Sequence, residues 1–596
     1  MEKVMKQILF ILSILSIGIY SCQTNNAPEN NIYNLTKTKG DKYYGGVFRL
    51  NESEYIKNLF PLSIIDVYSY RVASQIYEGL FKFNPEDITD VKTCLIDSYE
   101  VNPEKTEYTF KLRKGIFFHD DECFENNKGR ELTSEDIRYC FTKLCTEDRK
   151  NQSFNLFDGI VKGASEYYAA TKGGATPNFD IEGIKIIDKY SFKIELIKPN
   201  SIFLYNLARP GAFIYPKEAY EKYGIEMRTK CVGTGPFQID LIDEDISILL
   251  KKNKNYYKKD DSGNQLPYME AISIQFIKDK KMELLEFKKG NLDMMYRLPT
   301  DHIIEILDET ISDDNTGFSQ YELQREPEIS TQFLAFNNQS EVFGNLNIRK
   351  AFNFAVDREK ILDYILNGEG YGIGEFGFTP PSFNNYDISK FNGYDLNLDS
   401  AKYYLKKAGY PNGKNFPILT LDLNTEGERY TNVAVELQKQ LKDHLNIDIE
   451  INIAPLAQIT EKSMSGNFDF LRLAWVADYP SPENFLWMFY GANLPTEPNA
   501  NSYPNFIRYK NEQFDTYYEK AINSLSEEEA LANFRKAEEI MLRDAPVLIL
   551  WYDEGYRLVQ SYVKNFPNNP MQFRDFTDVY LTPKNTEKDL AANNIN

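Results

Sequence analysis

The sequence predicts an α/β protein built from at least two lobes. Three observations carry that prediction. The chain has 596 residues, more than one hydrophobic core normally organises. Segments with alternating apolar residues are interleaved with amphipathic helical segments, the pattern of α/β proteins. The run "FPILTLDLN", "RYTNVAVELQKQLKDHL", "NIDIEINIAP" reads strand, helix, strand, which implies a parallel pair with a helical crossover.

The remaining elements follow in chain order. "GGVFRL" (45–50) reads as a first strand, and "YSYRVASQIYEGLFKF" (68–83) as an amphipathic helix running into a strand. "EYTFKLRKGIFF" (107–118) alternates like a strand. "LTSEDIRYCFTKL" (132–144) places Thr133 three residues before Asp136, a capping-box pattern that opens a helix. "YSFKIELIKP" (190–199) is another alternating strand, and "GTGPFQI" (233–239) a Gly/Pro turn feeding a strand. "LDSAKYYLKKAGY" (398–410) is a helix ended by Gly409 at C′. "EEEALANFRKAEEIMLRDAP" (527–546) is a long helix stopped by Pro546.

Composition excludes some function classes. The net charge of −20 disfavours nucleic acid, which is held mainly by Lys and Arg against phosphate. Tyr and Phe number 41 and 40, a surplus that fills cores and also suits a large cleft lined with rings. At the N-terminus, Lys3 and Lys6 precede an apolar run from Ile8 to Ile19 that ends "IYSC" at Cys22. That is an export signal, too short for a comfortable membrane span. Ser21 before Cys22 resembles the bacterial lipoprotein cleavage box, although Tyr20 is bulkier than the usual residue there. Residues 1–22 are therefore expected to be a lipoprotein signal peptide with Cys22 lipidated, and 23–42, polar and rich in Asn, a flexible tether. Such a coil has an end-to-end distance of about 25 Å. The polar tail, 584–596, is expected to fray. Cys94, Cys123, Cys140, Cys145 and Cys231 form no CxxC and are odd in number, so buried thiols with at most one or two bridges are expected.

No reactive constellation is visible. The three histidines, His119, His302 and His444, are far apart and form no HExxH. His119 in "FFHDDE" offers a metal reading with Asp120 and Asp121, but a solvated turn is the preferred one; His302 and His444 read as surface residues. No GxSxG elbow and no P-loop occurs. The expectation is a non-enzyme with no cofactor and no metal.

Several segments together resemble the extracellular solute-binding proteins of family 5, the oligopeptide-binding lipoproteins that feed ABC importers. "SQIYEGLFKFNP" (74–85) is similar to the family's "YEGL" signature. "YTFKLRKGIFFHDD" with "LTSEDIRYCFTKL" resembles its "F-x-LR-x-G…T-x-E/A-D" block, and "GTGPFQI" its "GTGP" turn. "RKAFNFAVDREKIL" (349–362) resembles its "A-x-DR" helix, "WVADYPSPENF" its "ADY-x-x-P" segment, and "APVLILWYDEGYRLV" (545–559) the strand that returns to the first lobe. The matches keep the family's order over about 45 to 580. The insert "DDECFENNKGREL" replaces the family's short "DG-x-P" turn.

The resemblance implies a two-lobed periplasmic-binding-protein-like fold of the class II type, with an additional subdomain on the first lobe and the ligand between the lobes. Lobe I would comprise 43–60, 181–272 and 553–583, the extra subdomain 61–180, and lobe II 273–552, with crossings near 272–276 and 548–554. Hinge closure would accompany binding. In "RLAWVADYPSPENF", residues 470–478 read as extended. Arg472, Ala474, Val476 and Asp478 then share one face, and Leu471, Leu473 and Trp475 the other. Ser481 and Pro482 suit the N-cap and first turn of the next helix. The resemblance implies that Asp478 meets a peptide's α-amino group, since a carboxylate in a dry cleft is costly without a cation. Arg472 occupies the position where the family carries an arginine for the carboxylate of short peptides; a structural ion pair is the equal alternative. Ala474 and Val476 would offer backbone N–H and C=O to the ligand, and Trp475 would line a side-chain pocket. The implied partners are an oligopeptide, an ABC permease with its ATPase, and a membrane reached through the lipid anchor, the binder itself acting as a monomer outside the cytoplasm. Two alternatives stay open: the same fold holding an oligosaccharide, a metal complex or haem, and a surface lipoprotein acting as adhesin or peptide sensor.

Overall fold

The computed structural model describes residues 34–310, 317–383, 385–424, 427–497 and 500–583. The signal peptide, the lipidation expected at Cys22, most of the tether and the tail 584–596 lie outside them. The expected tether end at 42 is too late. Thr36–Lys37 pairs with Tyr43–Tyr44, and Thr38 Oγ1 donates to Asn264 Oδ1 at 2.5 Å, so the chain is already docked there.

The principal elements are β1 (Val47–Asn51), α1 (Val67–Ile76), β2 (Ile96–Val101), β3 (Glu107–Leu112), α2 (Ser134–Leu144), β4 (Ile184–Asp188), β5 (Ser191–Glu195), β6 (Phe237–Asp243), β7 (Ser247–Lys252) and β8 (Ala271–Gln275). The second half adds β9 (Met294–Tyr296), β10 (Glu322–Phe336), α3 (Leu346–Ala355), β11 (Leu419–Asn424), α4 (Gly427–Leu445), β12 (Ile449–Ala454), α5 (Leu456–Ser465), β13 (Phe470–Val476), α6 (Glu527–Asp544) and β14 (Val547–Val559).

Three sheets organise these strands. β6-β7-β8-β1 form the first, antiparallel except for the parallel β8–β1 pair. β2-β3-β5-β4 form an antiparallel second. β9-β14-β10-β13-β11-β12 form the third. The predicted β-α-β unit is β11-α4-β12, and its strands are parallel, Leu419 opposite Ile449. Strands β4 and β5, expected in lobe I, instead pair with β3: Glu107–Lys111 find their partners in Ser191–Glu195. The boundary expected at 180 therefore cuts a single sheet, whose hydrogen bonds override the chain position.

Local signals behave as their chemistry requires. Thr133 and Asp136 close the capping box of α2. Gly409 follows the helix Leu398–Lys407 with φ +98°, a conformation open to glycine. At the GTGP turn, a Cβ on Gly233 would lie 2.1 Å from the Ile76 carbonyl oxygen, and the Gly235 N–H donates to that oxygen at 2.8 Å. The two glycines thus let the turn press flat against the end of α1. The five cysteines are all free; Cys94, Cys140, Cys145 and Cys231 are buried and Cys123 is half-buried. Among the described residues no helix is long and apolar enough to cross a membrane.

Two long strands, β10 and β14, lie side by side in the third sheet, and β14 is buried along its whole length. Their register breaks between Pro327 and Thr331, opposite Glu554 and Tyr552. The expected crossing at 548–554 falls across this break. Beside it sits a buried ionic network. Asp553 accepts from Arg297 at 3.2 Å and from Arg429 at 3.1 Å, and also from Gln332 and Ser330. Arg297 reaches Glu328 at 3.1 Å and Arg429 reaches Glu369 at 3.5 Å. Burial alone would raise the Asp553 pKa, yet Arg297 and Arg429 hold it well below the usual carboxylate range.

Two outcomes follow from this packing. A thiol reagent applied to the native protein should label Cys123 at most among these five, and the other four only after unfolding; rapid labelling of any buried one would contradict the core described. Asp553→Ala removes the carboxylate shared by two buried guanidinium groups, leaves Arg297 with Glu328 and Arg429 with Glu369, and should lower stability by ~3–5 kcal/mol in urea unfolding at neutral pH. Because the folded pKa is depressed, the Asp553 contribution is complete above the unfolded carboxylate value of about 4 and is lost as pH falls toward the folded value. The gap between wild type and variant should therefore narrow below about pH 4.

Candidate functional site

A cavity of about 400 Å³ opens between β13, α5 and the segment around Trp487 and Tyr503 on one side, and α1, the segment 152–156 and Arg209 on the other. Arg472, Ala474, Trp475, Val476 and Asp478 all line it.

Strand β13 has two neighbours. It pairs with β10 over its full length, Phe470 with Phe336 through Val476 with Ser330. With β11 it pairs only at Phe470 and Leu471. Past that point the two strands diverge, and the Arg472 side chain fills the fork, donating to Asn424 Oδ1 at 3.1 Å and to Gln332 Oε1. The Ala477 N–H donates to the Ile329 carbonyl, so Leu473, Trp475 and Ala477 direct their backbone groups toward β10. By the alternation of antiparallel ladders, Ala474 and Val476 direct theirs to the other edge. Among the described residues no strand pairs with that edge beyond Leu471.

Arg472 is 4 % exposed and lies against the ring of Tyr430. Its hydrogen-bond partners are amide oxygens, and no carboxylate among the described residues forms an ion pair with it. Its Nε is buried without a partner. Among the described residues no acid completes the ion-pair alternative for Arg472.

Asp478 stands one residue past the last pair with β10. Its backbone N–H donates to Asn484 Oδ1 at 3.1 Å, and the same oxygen accepts the Trp475 indole N–H at 3.0 Å. Asn484 is held in the helix Pro482–Leu486, which has Ser481 as N-cap and Pro482 in its first turn as the sequence predicts. Trp475 is thus fixed at its polar end and rests against Phe506. The Asp478 carboxylate accepts from Arg209 Nη2 at 2.6 Å, while its side chain keeps 43 % of its surface exposed. The cation that sequence reasoning assigned to a ligand is met within the chain by Arg209. Arg209 lies over the Tyr479 ring; burial opposes its charge, but Asp478 together with Tyr479, Tyr503 and Glu483 outweighs burial and raises its pKa. Close by, the buried Tyr70 hydroxyl has no partner; burial first, and the Asp478 charge second, push its pKa well up.

Sequence reasoning missed Arg209, Asn484 and Tyr70. Arg209 is 269 residues from Asp478, and no local pattern marks it. His119 is a correction. It is buried rather than solvated, with Nε2 at 2.9 Å from the Gly235 carbonyl oxygen, and burial lowers its pKa to about 4. Asp120 pairs with Lys128, and Asp121 accepts from Tyr223. No group of acids, histidines and cysteines among the described residues is arranged to hold a metal.

Comparison with known proteins accords with this architecture. A dipeptide-binding protein of Bacillus subtilis is 24% identical over 569 residues, covering 94% of this chain and 96% of the relative. A heme-binding protein of Haemophilus influenzae is 24% identical, with 88% and 90% covered. The solved periplasmic binding protein DppA of Helicobacter pylori, in complex with the peptide STSA, superposes with a TM-score of 0.78 at 23% identity, over 91% of this chain and 99% of that one. Residues 90–495 match the family model of the bacterial extracellular solute-binding proteins, family 5 Middle. The chain is accordingly a member of the family 5 bacterial extracellular solute-binding proteins, substrate-binding transport components rather than enzymes.

Proposed function

We propose that this protein captures short peptides in the cleft and delivers them to an ABC permease, held at the outer side of a bacterial membrane by lipid on Cys22. The observation that carries the reading is the open edge of β13. It presents the backbone of Ala474 and Val476 and ends at the half-exposed carboxylate of Asp478. A peptide added as a strand satisfies those backbone groups whatever its side chains. Its α-amino group joins Asp478 beside Arg209, and its carboxylate meets Arg472. Trp475 borders the space for a side chain. With the amine at Asp478 and the carboxylate toward Arg472, the guest runs antiparallel to β13. The relatives support the class of cargo: one is a dipeptide-binding protein and one solved structure holds a peptide.

The two-lobe division belongs to the same proposal. Lobe I would hold the β6-β7-β8-β1 sheet and lobe II most of the third sheet, with the second sheet as the extra subdomain, extended to include β4 and β5. The chain would work as a monomer.

Calorimetry with a mixed panel of tripeptides and tetrapeptides tests the reading. Free peptides should bind, and N-acetylation should weaken them by ~2–5 kcal/mol, as expected for removing one partner of a charge pair. Asp478→Ala should lose affinity for free peptides and discriminate no longer between free and acetylated ones. Equal binding of both forms by the wild type would refute the α-amino assignment. Mass spectrometry finding a sugar, metal complex or haem as the co-purified ligand would refute peptide cargo altogether.

A further inference from the structure

The chain as a whole carries a charge of −20, yet the cavity has the opposite character: seven cationic side chains line it against four carboxylates. Three of these cations are matched locally, and Lys57 is exposed. Arg209 holds Asp478, Arg297 holds Glu328 and Asp553, and Lys280 holds Glu283. Two positions are left over. Arg472 has only amide oxygens. Arg71 and Arg574 share one carboxylate, Glu52.

Arg71 sits on α1, across the cleft from β13. It is 8 % exposed, and its Nε is buried without a partner. Its guanidinium lies over the Tyr296 ring at 5.2 Å, which fixes its plane. Glu328, the next carboxylate within its field, is already held by Arg297 and Tyr296. Burial, with Arg71 adding to it, pushes the Arg574 guanidinium down to about 10 despite Glu52. Glu52 and the neighbouring Tyr296, Tyr68 and Glu328 keep the Arg71 guanidinium charged against burial, but one carboxylate serves two arginines there, and a cavity lined by that pair and by Arg472 is complementary to a guest with two negative groups.

Resting on the peptide reading above, we propose that the preferred cargo is an acidic peptide: its terminal carboxylate goes to Arg472, and an Asp or Glu side chain goes to Arg71, backed by Arg574. The global charge repels such a guest, so a preference for it has to arise inside the cleft.

The test compares three tripeptides of Ala, each carrying Glu at one position, with the three Gln isosteres, by calorimetry. In the wild type, Glu at one position should bind at least ~10-fold tighter than Gln there. Arg71→Gln leaves Glu52 with Arg574 as a one-to-one pair, so the fold should persist, checked by thermal unfolding. This variant should reduce the Glu/Gln ratio to about one while holding the Gln peptide within about twofold. If Gln and Glu peptides bind the wild type alike at every position, the acidic preference is overturned and peptide capture stands. If the preference survives in Arg71→Gln, the assignment to Arg71 is overturned. If no peptide of either set binds, peptide capture fails and this inference with it. The wild-type comparison alone decides the preference should the variant not fold.

Discussion

The cleft depends on the parting of β11 and β13 after Leu471. Up to that residue β13 is an interior strand with neighbours on both sides. Beyond it one edge is open, and the backbone of Ala474 and Val476 faces the cavity. An unpaired backbone group shut away from water costs ~1–3 kcal/mol, so an empty slot of this kind has to stay wet until a guest strand fills it. The fork itself is occupied by Arg472 and Asn424, which meet across it. Arg472 therefore occupies the fork between the strands, and on the proposed reading it supplies the positive group at the head of the slot.

Charge along the slot is graded. Asp478 lies just past the end of β13 and Arg472 within it, in the fork with β11. The acidic end is only half buried and already neutralised by Arg209, so it carries little desolvation penalty in the absence of a guest. The basic end is buried and short of acids. A carboxylate entering there relieves an existing deficit, whereas an amine arriving at Asp478 joins a pair already formed. On the proposed reading, recognition of the negative end of a guest would have the larger electrostatic component, the opposite of what the isolated motif around Asp478 suggests.

How much of this was legible in the sequence depended on the range of the interactions. The capping box of α2, the β-α-β unit around α4 and the Ser481–Pro482 helix start are set by neighbours in sequence, and the structure has all three. The strand carrying Arg472, Ala474, Trp475 and Val476 was legible for the same reason, although it stops at Val476, two residues short of the extended run read through Asp478. The pairing of β4 and β5 with β3 was not, because equivalent alternating strands fit either sheet and only the hydrogen bonds decide. Arg209, Arg71 and Arg574 were invisible as site residues: each reaches the cavity from a distant stretch, and a lone arginine in sequence has no direction. His119 was misjudged because its acidic neighbours suggest solvent, while the flanking turn at Gly233 and Gly235 encloses it.

The Arg209–Asp478 pair also bears on how the cleft would shut. It joins the wall carrying α1 to the wall carrying β13, so it exists only while the two are close. With the acid 43 % exposed, such a pair contributes ~1 kcal/mol or less, too little to hold two lobes together against the entropy of opening. Closure must then draw on differential binding, since a ligand shifts a conformational equilibrium only by the free energy it gains in one state over the other. A guest that touches β13 alone gains the same in both states and closes nothing. A guest that spans from β13 to Arg71 gains contact with the second wall only when the walls meet. On the acidic-cargo proposal, the cations on the α1 side would turn binding into closure, and the Arg209–Asp478 pair would align the walls without committing them.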